Sequence, residues 1–383
     1  MPVTIAVVGG KLQGVEAVYL AQKAGFNTLV IDKNPGAPAA RLCSRFFKFA
    51  FEQEGVFPRV MPKPDLILPA IEDDGVLHLV RRWAETENIP LAFDPAAYAV
   101  SSSKLKSDAM FQALGLPAPK PWPVCGFPLV VKPDQASGSQ GVEIFRSEAG
   151  FLSRYPDGPG NRVAQECVEG PSYSIEVIGC PGSYLPLQVT ELGMDEAYDC
   201  NRVTAPADLT AGQIREFEEM AVAVAEEIQL KGIMDVEVIL HQGELKLLEI
   251  DARLPSQTPM AVYWSTGVNM VALLAGIFLG SSLPAGMENQ APALVEHIEV
   301  TGYATASGNG PEIRFLGEHI MGQQGPLHLE KDFFGADEAV TSFGAGKETW
   351  VATLVFTGQT RYEVDKKRAA CLKRIAGAAE KDS

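Results

Sequence analysis

The sequence predicts an α/β fold in which a parallel, helix-covered sheet comes first, an α+β unit follows and a small C-terminal α+β domain ends the chain. Three observations support this order: apolar runs alternate with helical segments near the N-terminus, prolines then mark a connector, and strand-like runs separated by turn residues come after it. With 383 residues the chain is long enough for two or three domains that fold without metals or disulfide bonds.

The first domain is predicted over residues 1–95. An apolar run at residues 3–8 meets a glycine turn, a helical stretch covers residues 15–24, and a second apolar run ends at Asp32. This βαβ opening indicates a Rossmann-like domain. Further strands are predicted at residues 46–51, 65–70 and 90–93, with an amphipathic helix at residues 76–87.

The second unit is predicted over residues 96–285, with a lid subdomain at about 120–180. It opens with a helix at residues 101–114, and four prolines between residues 117 and 123 then mark an extended connector. Strands are predicted at residues 129–132, 142–145, 163–168, 173–178, 232–240 and 244–250, and a helix at 210–230. Beyond residue 281 the pattern weakens into short strands and a basic helix at residues 366–380, which we assign to a C-terminal domain over 286–383.

Charge and composition exclude several classes of function. Lys and Arg total 32 against 48 Asp and Glu, and the net charge of −16 argues against a nucleic acid or an anionic membrane as partner. The longest apolar run, residues 268–280, is too short to span a bilayer, and the N-terminus lacks the basic segment of a signal peptide, so we expect a cytoplasmic protein. Six scattered cysteines and five histidines show no zinc or iron–sulfur spacing.

The glycine turn Gly9-Gly-Lys-Leu-Gln-Gly14 lies between a predicted strand and a predicted helix. A helix N-terminus offers unpaired N–H groups to an anion, and Asp32 stands where a dinucleotide fold binds a ribose. The spacing is not GxGxxG, however, and a turn that needs glycine only for its backbone explains the pattern equally well. The turn therefore suggests a nucleotide or another small polar ligand without deciding between these interpretations.

Two lysines and a flexible loop form a second candidate site. Lys104, Lys132 and the loop at residues 136–141, which includes Ser139, combine two cations with a glycine-rich backbone suited to phosphate oxygens. Taken singly, an exposed lysine is usually solvated and a Gly/Ser loop between strands is usually a hairpin.

The acidic hairpin is the most informative pattern in the chain. Strand periodicity puts Asp235 and Glu237 on one face of their strand, and Glu249 and Asp251 on one face of the next. Four carboxylates on one face repel one another unless a cation lies among them, and Mg²⁺ prefers oxygen ligands. The alternative is a solvated strand face, but Arg253 and a polar run at residues 256–258 follow at once, as a substrate-binding turn would.

These segments, taken in order, resemble the nucleotide site of the ATP-grasp ligase superfamily. The matching parts are Lys104, Lys132, the Ser/Gly loop, residues 165–168 and Glu249-Ile-Asp-Ala-Arg253, in which Asp251 replaces the usual Asn. The resemblance implies that the second unit is an ATP-grasp domain.

A nearer resemblance covers almost the whole chain and weakens in the last hundred residues. It rests on Gly9 to Gly14, Asp32-Lys-Asn-Pro35, Tyr198-Asp-Cys200, Lys231-Gly-Ile-Met-Asp-Val-Glu237 and Glu249-Ile-Asp-Ala-Arg-Leu-Pro-Ser-Gln-Thr-Pro259. These strings are similar to the 3-methylornithine–L-lysine ligase family of pyrrolysine biosynthesis. The resemblance implies that ATP phosphorylates the carboxylate of (3R)-3-methyl-D-ornithine, and that the ε-amine of L-lysine displaces phosphate to give 3-methylornithyl-N6-lysine and ADP.

The resemblance also implies roles for individual residues. Glu237, Glu249 and Asp251 would hold Mg²⁺, as two ions, while Lys104, Lys132 and Ser139 would bind the phosphates. The adenine would lie against Gln165, Glu166, Cys167 and Val168. Arg253 and Lys132 would be the catalytic residues. The methylornithine pocket would comprise Ser174, Ile175, Glu176, Glu237, Arg253, Leu254, Pro255, Ser256, Gln257 and Thr258.

The first domain has two possible uses. Leu12, Gln13 and Glu72, with Ser256 from across the cleft, would bind lysine, although Glu72 is equally well explained as a solvated residue at a strand end. Lys11, Asp32, Ala50 and Phe51 would instead form a second adenine-nucleotide pocket. Both uses stay open at this stage.

Three rival functions remain. Another ATP-grasp amino-acid or dipeptide ligase would share the nucleotide and metal residues. A nicotinamide-dependent oxidoreductase would use the βαβ opening but would leave the acidic hairpin unexplained. A nucleotide-binding regulatory protein without turnover would not need Lys132, Glu249 and Arg253 together.

Overall fold

The computed structural model describes residues 2–51, 62–135, 140–196, 198–281, 283, 290–303 and 310–377. The described strands form three sheets: a parallel sheet of four strands, a small antiparallel sheet of three, and a large sheet of eleven. The parallel sheet comes first along the chain, so the order of elements that the sequence predicted is confirmed for this part.

The N-terminal sheet has the strand order β3-β2-β1-β4, with every neighbouring pair parallel. Its strands are β1 (Thr4–Val8), β2 (Asn27–Asp32), β3 (Arg45–Lys48) and β4 (Leu66–Pro69), and its helices are α1 (Leu12–Lys23) and α2 (Asp74–Glu87). The parallel pairing was predicted correctly. The fifth strand at residues 90–93 was not, because only Leu91 makes a single bridge, to Ile67, before the chain turns into the next helix.

Backbone packing explains two glycines of the turn between β1 and α1. A Cβ atom on Gly9 would lie 2.2 Å from the carbonyl oxygen of Ala70, and a Cβ on Gly14 would lie 2.2 Å from that of Gly9. Gly9 also has a φ of +105°, a region that side chains disfavour. The structure therefore supplies the backbone reason for these glycines, whatever the turn binds.

The predicted helix at residues 101–114 is two helices. These are α3 (Pro95–Ser101) and α4 (Lys104–Ala113). Ser103 interrupts the run because its extended backbone lets its hydroxyl accept a hydrogen bond from the N–H of Lys106, which caps α4. Lys104 consequently lies at the first position of α4, and its side chain is buried.

The small antiparallel sheet has the order β6-β5-β7. Its elements are β5 (Leu129–Pro133), β6 (Glu143–Phe145), α5 (Glu148–Arg154) and β7 (Arg162–Glu166). Phe151 on α5 is fully buried and contacts Trp122, Phe127, Phe145 and Tyr155. This aromatic cluster gives the sheet a core of its own. The loop that joins β5 to β6 includes residues 136–139, among them Ser139, which lie outside the described residues.

The large sheet carries most of the rest of the chain. Its first strands are β8 (Ser172–Cys180), β9 (Ser183–Pro186), β10 (Thr190–Met194), β11 (Cys200–Ala205), β12 (Gly232–His241) and β13 (Glu244–Asp251). The helices of this part are α6 (Ala211–Glu227), α7 (Thr258–Thr266) and α8 (Met270–Leu279). Gln242 and Gly243 join β12 to β13 with positive φ at both positions, which is the conformation of a tight two-residue hairpin turn.

The C-terminal strands extend the same sheet, because β11 pairs with β14. The remaining elements are β14 (Ala293–Thr301), β15 (Glu312–Phe315), α9 (Glu318–Met321), β16 (His328–Lys331), β17 (Glu338–Thr341), β18 (Trp350–Thr357) and α10 (Arg361–Gly377). The expectation that only short strands follow residue 281 is wrong, since β14 has nine residues and β18 eight. The domain boundaries near residues 95 and 285 stay predictions.

A buried polar network joins the N-terminal helix to the C-terminal strands. The Tyr19 hydroxyl donates to Glu338 Oε2 at 2.7 Å and accepts from Trp264 Nε1 at 2.8 Å. Lys23 Nζ lies 2.6 Å from the other carboxylate oxygen of Glu338. These contacts fix α1 against the last turn of α7 and against β17.

Among the described helices, no single one is long and apolar enough to cross a membrane. The bent pair α7 and α8 meets that criterion by length and composition only when its two helices, at 97° to each other, are counted together.

Candidate active site

The acidic face predicted from strand periodicity is confirmed by the register of the hairpin. Asp235 lies directly opposite Asp251, and Glu237 lies opposite Glu249. Asp235 is buried and the other three are half-buried, so the alternative of a solvated strand face is wrong. Burial of four carboxylates on one face requires compensation by cations or protons.

The neighbouring strand β8 adds a third row to this face. Glu176 is the register partner of Asp235, and Ser174 is the partner of Glu237. The Ser174 hydroxyl donates a hydrogen bond to Asp235 Oδ1. Burial, together with the charge of Asp235, raises the pKa of the fully buried Glu176 to about 8. Ile175 points to the opposite side of the strand, into a hydrophobic core, so only its backbone faces this site.

Negative charge accumulates around Glu237. Burial, with the neighbouring charges of Asp235, Glu249 and Asp251, raises its pKa well above the usual range. Burial also raises the pKa of Asp251 to about 8, although the nearby Arg253 opposes this rise. A cation among these oxygens would relieve both effects, because it replaces the proton as the counter-charge.

These oxygen donors fit Mg²⁺ in their chemistry, since Mg²⁺ binds carboxylates and keeps several waters. Within the ranges that the structure describes, no three His, Cys, Asp or Glu side chains already have the mutual spacing of a metal site. Two of the carboxylates are instead paired with cationic side chains: Lys104 Nζ lies 2.5 Å from Glu249 Oε1, and Arg253 Nη2 lies 2.8 Å from Asp251 Oδ2.

Two lysines approach the acidic face from α4 and β5. Lys104 pairs with Glu249, as described, and the Lys132 ammonium donates to the carbonyl oxygen of Leu248 at 3.5 Å. Burial lowers the pKa of Lys132, although Glu249 and Asp108 oppose this. Burial raises the pKa of Asp108 to about 6, with Lys132 opposing. The structure therefore brings both predicted lysines together beside Glu249 and adds Asp108, which sequence reasoning missed.

The segment predicted to bind adenine, residues 165–168, ends strand β7. Gln165 is buried, while Glu166 accepts a hydrogen bond from the backbone N–H of Lys120 at 3.2 Å. The Lys246 ammonium lies 3.3 Å from the same carboxylate. Burial alone would raise the pKa of Glu166, but these two contacts together lower it. Its carboxylate is thus already paired with a cation.

Arg253 connects the acidic face to the N-terminal part of the chain. Its Nε lies 2.8 Å from Glu72 Oε1, and the Gln13 amide donates to the same oxygen at 3.0 Å. Burial alone would lower the pKa of Arg253, but the charges of Asp251 and Glu72 raise it above its usual value. Gln13 and Glu72 therefore lie beside Arg253, while their binding of lysine stays a prediction. Leu12 instead packs its side chain into the hydrophobic core.

The turn after β13 lines the same region. Leu254 and Pro255 are buried, and Gln257 adopts a φ of +70° directly before Thr258 starts α7. The Gln257 amide donates to the carbonyl oxygen of Cys200 at 3.1 Å. The Ser256 hydroxyl donates to Glu318 Oε1, so the predicted substrate turn is held by residues on both sides.

The residues of the possible second nucleotide pocket lie at the edge of the parallel sheet. Asp32 accepts hydrogen bonds from the backbone N–H groups of Gly10 and Asn34, each at 2.7 Å. Its carboxylate therefore braces the glycine turn. Lys11 is exposed beside it, Ala50 is half-buried, and Phe51 is buried against Phe49.

Sequence reasoning also missed Asp199 and Glu318. Asp199 Oδ2 accepts a hydrogen bond from the backbone N–H of His319 at 2.9 Å and so fixes the start of α9, where Glu318 lies. Burial raises the pKa of Glu318, although Ser256 and Arg253 oppose this. The Tyr198-Asp-Cys200 string was a signal for Asp199, whereas nothing in the last hundred residues indicated Glu318.

Comparisons with known proteins decide the family. A family model described as an ATP-grasp domain matches residues 101–257. The 3-methyl-D-ornithine–L-lysine ligase of Methanosarcina mazei is 34% identical over 98% of this chain and 97% of the relative. The enzyme of the same name from Methanosarcina acetivorans is 34% identical over 95% of each chain. The chain belongs to the 3-methyl-D-ornithine–L-lysine ligase family.

Solved structures share the ATP-grasp fold with this member of the ligase family. An ADP complex of the N5-carboxyaminoimidazole ribonucleotide synthetase PurK has a TM-score of 0.70 at 15% identity, covering 100% of this chain and 99% of that one. The biotin carboxylase domain of Hydrogenobacter thermophilus 2-oxoglutarate carboxylase, solved with MgADP, ADP and bicarbonate, has a TM-score of 0.70 at 15% identity and covers 96% and 89%. At these identities the likeness concerns the fold.

Proposed function

We propose that the protein catalyses ATP-dependent amide-bond formation between the carboxylate of (3R)-3-methyl-D-ornithine and the ε-amine of L-lysine. The products would be 3-methylornithyl-N6-lysine, ADP and phosphate, as a step of pyrrolysine biosynthesis. Family membership supports this reaction. The observation that carries it is the meeting of Lys104, Lys132 and Arg253 around one buried acidic face, because phosphoryl transfer from ATP to a carboxylate needs cations at the phosphates and at the carboxylate.

ATP and Mg²⁺ are the implied cofactors. We assign Glu237, Glu249 and Asp251 to two Mg²⁺ ions, whose chemistry is to neutralise the phosphate oxygens during transfer. Lys104 and Lys132 would bind phosphate once Glu249 turns from Lys104, with which it is paired, toward a metal ion. We keep Ser139 as a phosphate ligand and residues 165–168 as the adenine segment.

The reaction runs through an acyl phosphate in this proposal. Arg253 would orient the methylornithine carboxylate with its two-pronged guanidinium and stabilise the charge that develops as the carboxylate oxygen attacks the γ-phosphorus. The lysine ε-amine, after its ammonium form has lost a proton to solvent, would then attack the acyl carbon. The acyl C–O bond to phosphate breaks, phosphate leaves, and the nitrogen loses a second proton to give the amide. No covalent enzyme intermediate is required.

The two amino acids are assigned to opposite sides of Arg253. Methylornithine would lie over Ser174, Glu176 and Glu237 with the turn at residues 253–258, where buried carboxylates suit ammonium groups. Lysine would lie by Gln13 and Glu72 with Ser256. Because Gln13 and Glu72 contact Arg253 directly or through one another, this assignment brings the two reactants together.

Finer points of organisation belong to the same proposal. We divide the chain into a Rossmann-like domain (1–95), an ATP-grasp domain (96–285) with its lid at about 120–180, and a C-terminal domain (286–383). The cytoplasmic location stays a prediction from the sequence. The second adenine-nucleotide pocket at Lys11, Asp32, Ala50 and Phe51 is not favoured by a contact, since Asp32 already bonds the turn.

Product formation tests the proposal directly. The protein is incubated with ATP, Mg²⁺, L-lysine and 3-methyl-D-ornithine, and ADP release and the mass of the product are measured. We expect ADP and the N6-linked dipeptide in equal amounts, and neither dipeptide nor continued ADP release when one amino acid is left out. A faster reaction with two alanines or another amino-acid pair would favour the alternative of a different dipeptide ligase.

A further inference from the structure

The start of helix α9 faces the substrate turn with a carboxylate that the proposed mechanism does not use. Glu318 Oε1 accepts the hydrogen bond of the Ser256 hydroxyl. Its charge also interacts with Arg253, Glu72 and Asp199. Glu318 therefore borders the pocket in which the two amino acids would meet, and it comes from the C-terminal part of the chain.

Two buried oxygen atoms beside Glu318 lack hydrogen-bond partners within the described part of the chain. They are Oε2 of Glu16, whose side chain is only 3% exposed, and Oε1 of Gln257, at 2%. Glu16 interacts electrostatically with Glu318, and the backbone N–H groups of Gln257 and Met260 bond to the Glu16 carboxylate. The Gln257 oxygen only accepts hydrogen bonds, and a cation bound beside Glu16 would replace the proton that this carboxyl keeps in the substrate-free protein. The complementary ligand is therefore a positively charged group that only donates. An alkylammonium group, with three donors and no acceptor, is such a group.

Charge balance leads to the same class of ligand. Glu72 and Glu318 act together with Asp235 and Asp251 on one guanidinium, that of Arg253. Lys104 and Lys132 lie beside Glu249, and the proposed function assigns both to the phosphates of ATP, so neither balances the carboxylates around Arg253. The two diamino acids are net cations at neutral pH, and they are the remaining source of positive charge.

The position of Glu318 is built by specific contacts. Asp199 holds the backbone N–H of His319, and the carbonyl oxygen of the next residue, Cys200, accepts from the Gln257 amide. The Tyr198-Asp-Cys200 string, to which no role was assigned from the sequence, therefore positions both Glu318 and Gln257. Gly317 must be glycine for this contact, because a Cβ there would lie 2.1 Å from Asp199 Oδ2.

We propose that Glu318, supported by the acceptor oxygens of Glu16 and Gln257, binds an ammonium group of a diamino-acid substrate. This inference rests on the proposed function and deepens it, because it assigns a substrate-recognition residue to the C-terminal part of the chain. Glu318 would act by binding and would take no part in phosphoryl transfer. Both lysine and methylornithine supply the required group, and the experiment distinguishes them.

The test compares Glu318→Gln with the matched control Glu312→Gln, which removes a carboxylate from an exposed surface ion pair with Arg314. The KM values for L-lysine and for D-ornithine are measured separately, with the other substrates saturating. We expect Glu318→Gln to raise one of the two KM values at least ~10-fold, the scale of a hydrogen bond to a charged group, with a smaller change in kcat. The control should match the wild-type protein.

Substrate analogues identify the group that Glu318 contacts. 6-Aminohexanoate is lysine without its α-ammonium group, D-norvaline lacks the δ-ammonium of D-ornithine, and 5-aminopentanoate lacks the α-ammonium. If Glu318 binds a particular ammonium, the effect of Glu318→Gln should shrink to about twofold or less with the analogue that lacks it. The effects of the substitution and of the missing ammonium are non-additive in this way only if the two groups contact each other. General structural damage would weaken binding of the substrate and of the analogue equally.

The outcomes are decisive for Glu318. Unchanged KM values for both amino acids, or a loss confined to kcat, overturn the proposal. Thermal unfolding of the variant checks its fold, and Glu318→Asp should recover part of the affinity if the charge is what matters. If the wild-type protein makes no ADP with both amino acids, the proposed function fails instead. Calorimetric titration of lysine and D-ornithine into wild type and variant then decides the role of Glu318.

Discussion

The Glu249 carboxylate is expected to have one partner in the free protein and another when ATP and Mg²⁺ bind. It forms a close ion pair with Lys104 and lies opposite Glu237 in the hairpin. Without nucleotide, the lysine compensates its charge. With ATP and Mg²⁺, we expect the lysine to turn to phosphate and the carboxylate to the metal, so one side chain serves both states.

Removal of the Glu249 charge should therefore reduce turnover far more than it reduces stability. We expect Glu249→Gln to lower the rate of ADP formation at least ~10²-fold, the usual scale for losing electrostatic stabilisation of a transition state. Rates are measured at saturating Mg²⁺, with circular dichroism as the check on folding. The control is Glu85→Gln, which breaks an exposed pair with Arg81 on one helix. A rate near that of the wild type at high Mg²⁺ would contradict the metal assignment.

Arg253 should not tolerate replacement by lysine. Its guanidinium contacts Glu72 and Asp251 through two different nitrogens, and a point charge cannot hold both carboxylates and a substrate carboxylate as well. We expect Arg253→Lys to lower kcat/KM for the activated amino acid at least ~10-fold. The exposed Arg314→Lys serves as control. Equal kinetic constants for variant and wild type would remove Arg253 from the carboxylate site.

Single site residues were predictable from the sequence when they belonged to a local pattern, and were missed when only tertiary contacts define them. The four hairpin carboxylates could be predicted because alternation along two adjacent strands needs no knowledge of the tertiary fold. Glu318 could not, because it reaches Ser256 across 62 residues of chain, and no local pattern encodes such a contact. Asp108 was missed for a related reason, since its burial and its charge interaction with Lys132 arise only in the folded chain.

Among the elements, the contact of α1 with the start of α7 buries an acid in the interior. Burial, with a smaller effect from the charge of Glu318, raises the pKa of Glu16 to about 8. The charge of Glu16 in turn contributes to the raised pKa of Glu176. Between pH 4.5 and about 8, the folded chain thus keeps a proton that the unfolded chain has released. Stability conferred by this proton is complete at low pH and is lost as pH rises through the folded-state pKa.

The substrate-free protein should consequently unfold more easily at pH 8 than at pH 6. We expect Glu16→Gln to reduce the difference in the free energy of unfolding between pH 6 and pH 8 by about 2 kcal/mol. Each pH unit over which only the folded chain keeps the proton changes this free energy by about 1.4 kcal/mol. Urea unfolding at the two pH values measures it. Glu85→Gln should leave the wild-type difference intact. An identical difference in Glu16→Gln would show that this carboxyl is not protonated in the folded state.

The loop between β5 and β6 gives a prediction for a second element. Its glycines, Gly138 and Gly141, favour rearrangement, and an acyl phosphate must be shielded from water. We expect ATP and Mg²⁺ to protect this loop at least several-fold against limited proteolysis by a protease of broad specificity. Cleavage at the Asp157 to Gly160 turn should not change and provides the internal control. Equal cleavage rates with and without nucleotide would contradict a lid role.

Sheet membership was less predictable than strand location. The hairpin of β12 and β13 was predictable because its turn and its alternation are local signals. The joining of β11 to β14 was not, since Val203 and Val295 are neighbours across a long stretch of intervening chain. The strands β9, β10 and β11 were missed because they have only four, five and six residues and their burial alternates over part of that length at most.

At the scale of the whole molecule, side chains from three parts of the chain converge on Arg253. Glu72 comes from the end of the parallel sheet, Asp251 from the acidic hairpin and Glu318 from the C-terminal strands and helices. The Tyr19 and Glu338 network fixes the first and last of these parts to α7. The site therefore depends on the relative placement of all three, and we expect the two amino acids to enter from different sides.

This arrangement predicts which substrate is activated. If Gln13 and Glu72 hold lysine while Arg253 holds the methylornithine carboxylate, the acyl phosphate forms only on methylornithine and lysine acts only as nucleophile. With ¹⁸O in the methylornithine carboxylate, one labelled oxygen should appear in the released phosphate. With ¹⁸O in the lysine carboxylate, none should, and this second labelling is the internal control.

Stereochemistry extends the same test. D-Ornithine should react at a reduced rate, because the loss of one methyl group from its pocket costs only about 1–3 kcal/mol. L-Ornithine should react far more slowly, since inversion at the α-carbon moves the α-ammonium away from the carboxylates of β8 and β12 while the carboxylate stays on Arg253. Label transfer from lysine to phosphate, or equal rates with D- and L-ornithine, would reject this placement of the substrates even if Glu237, Glu249 and Asp251 proved to bind Mg²⁺.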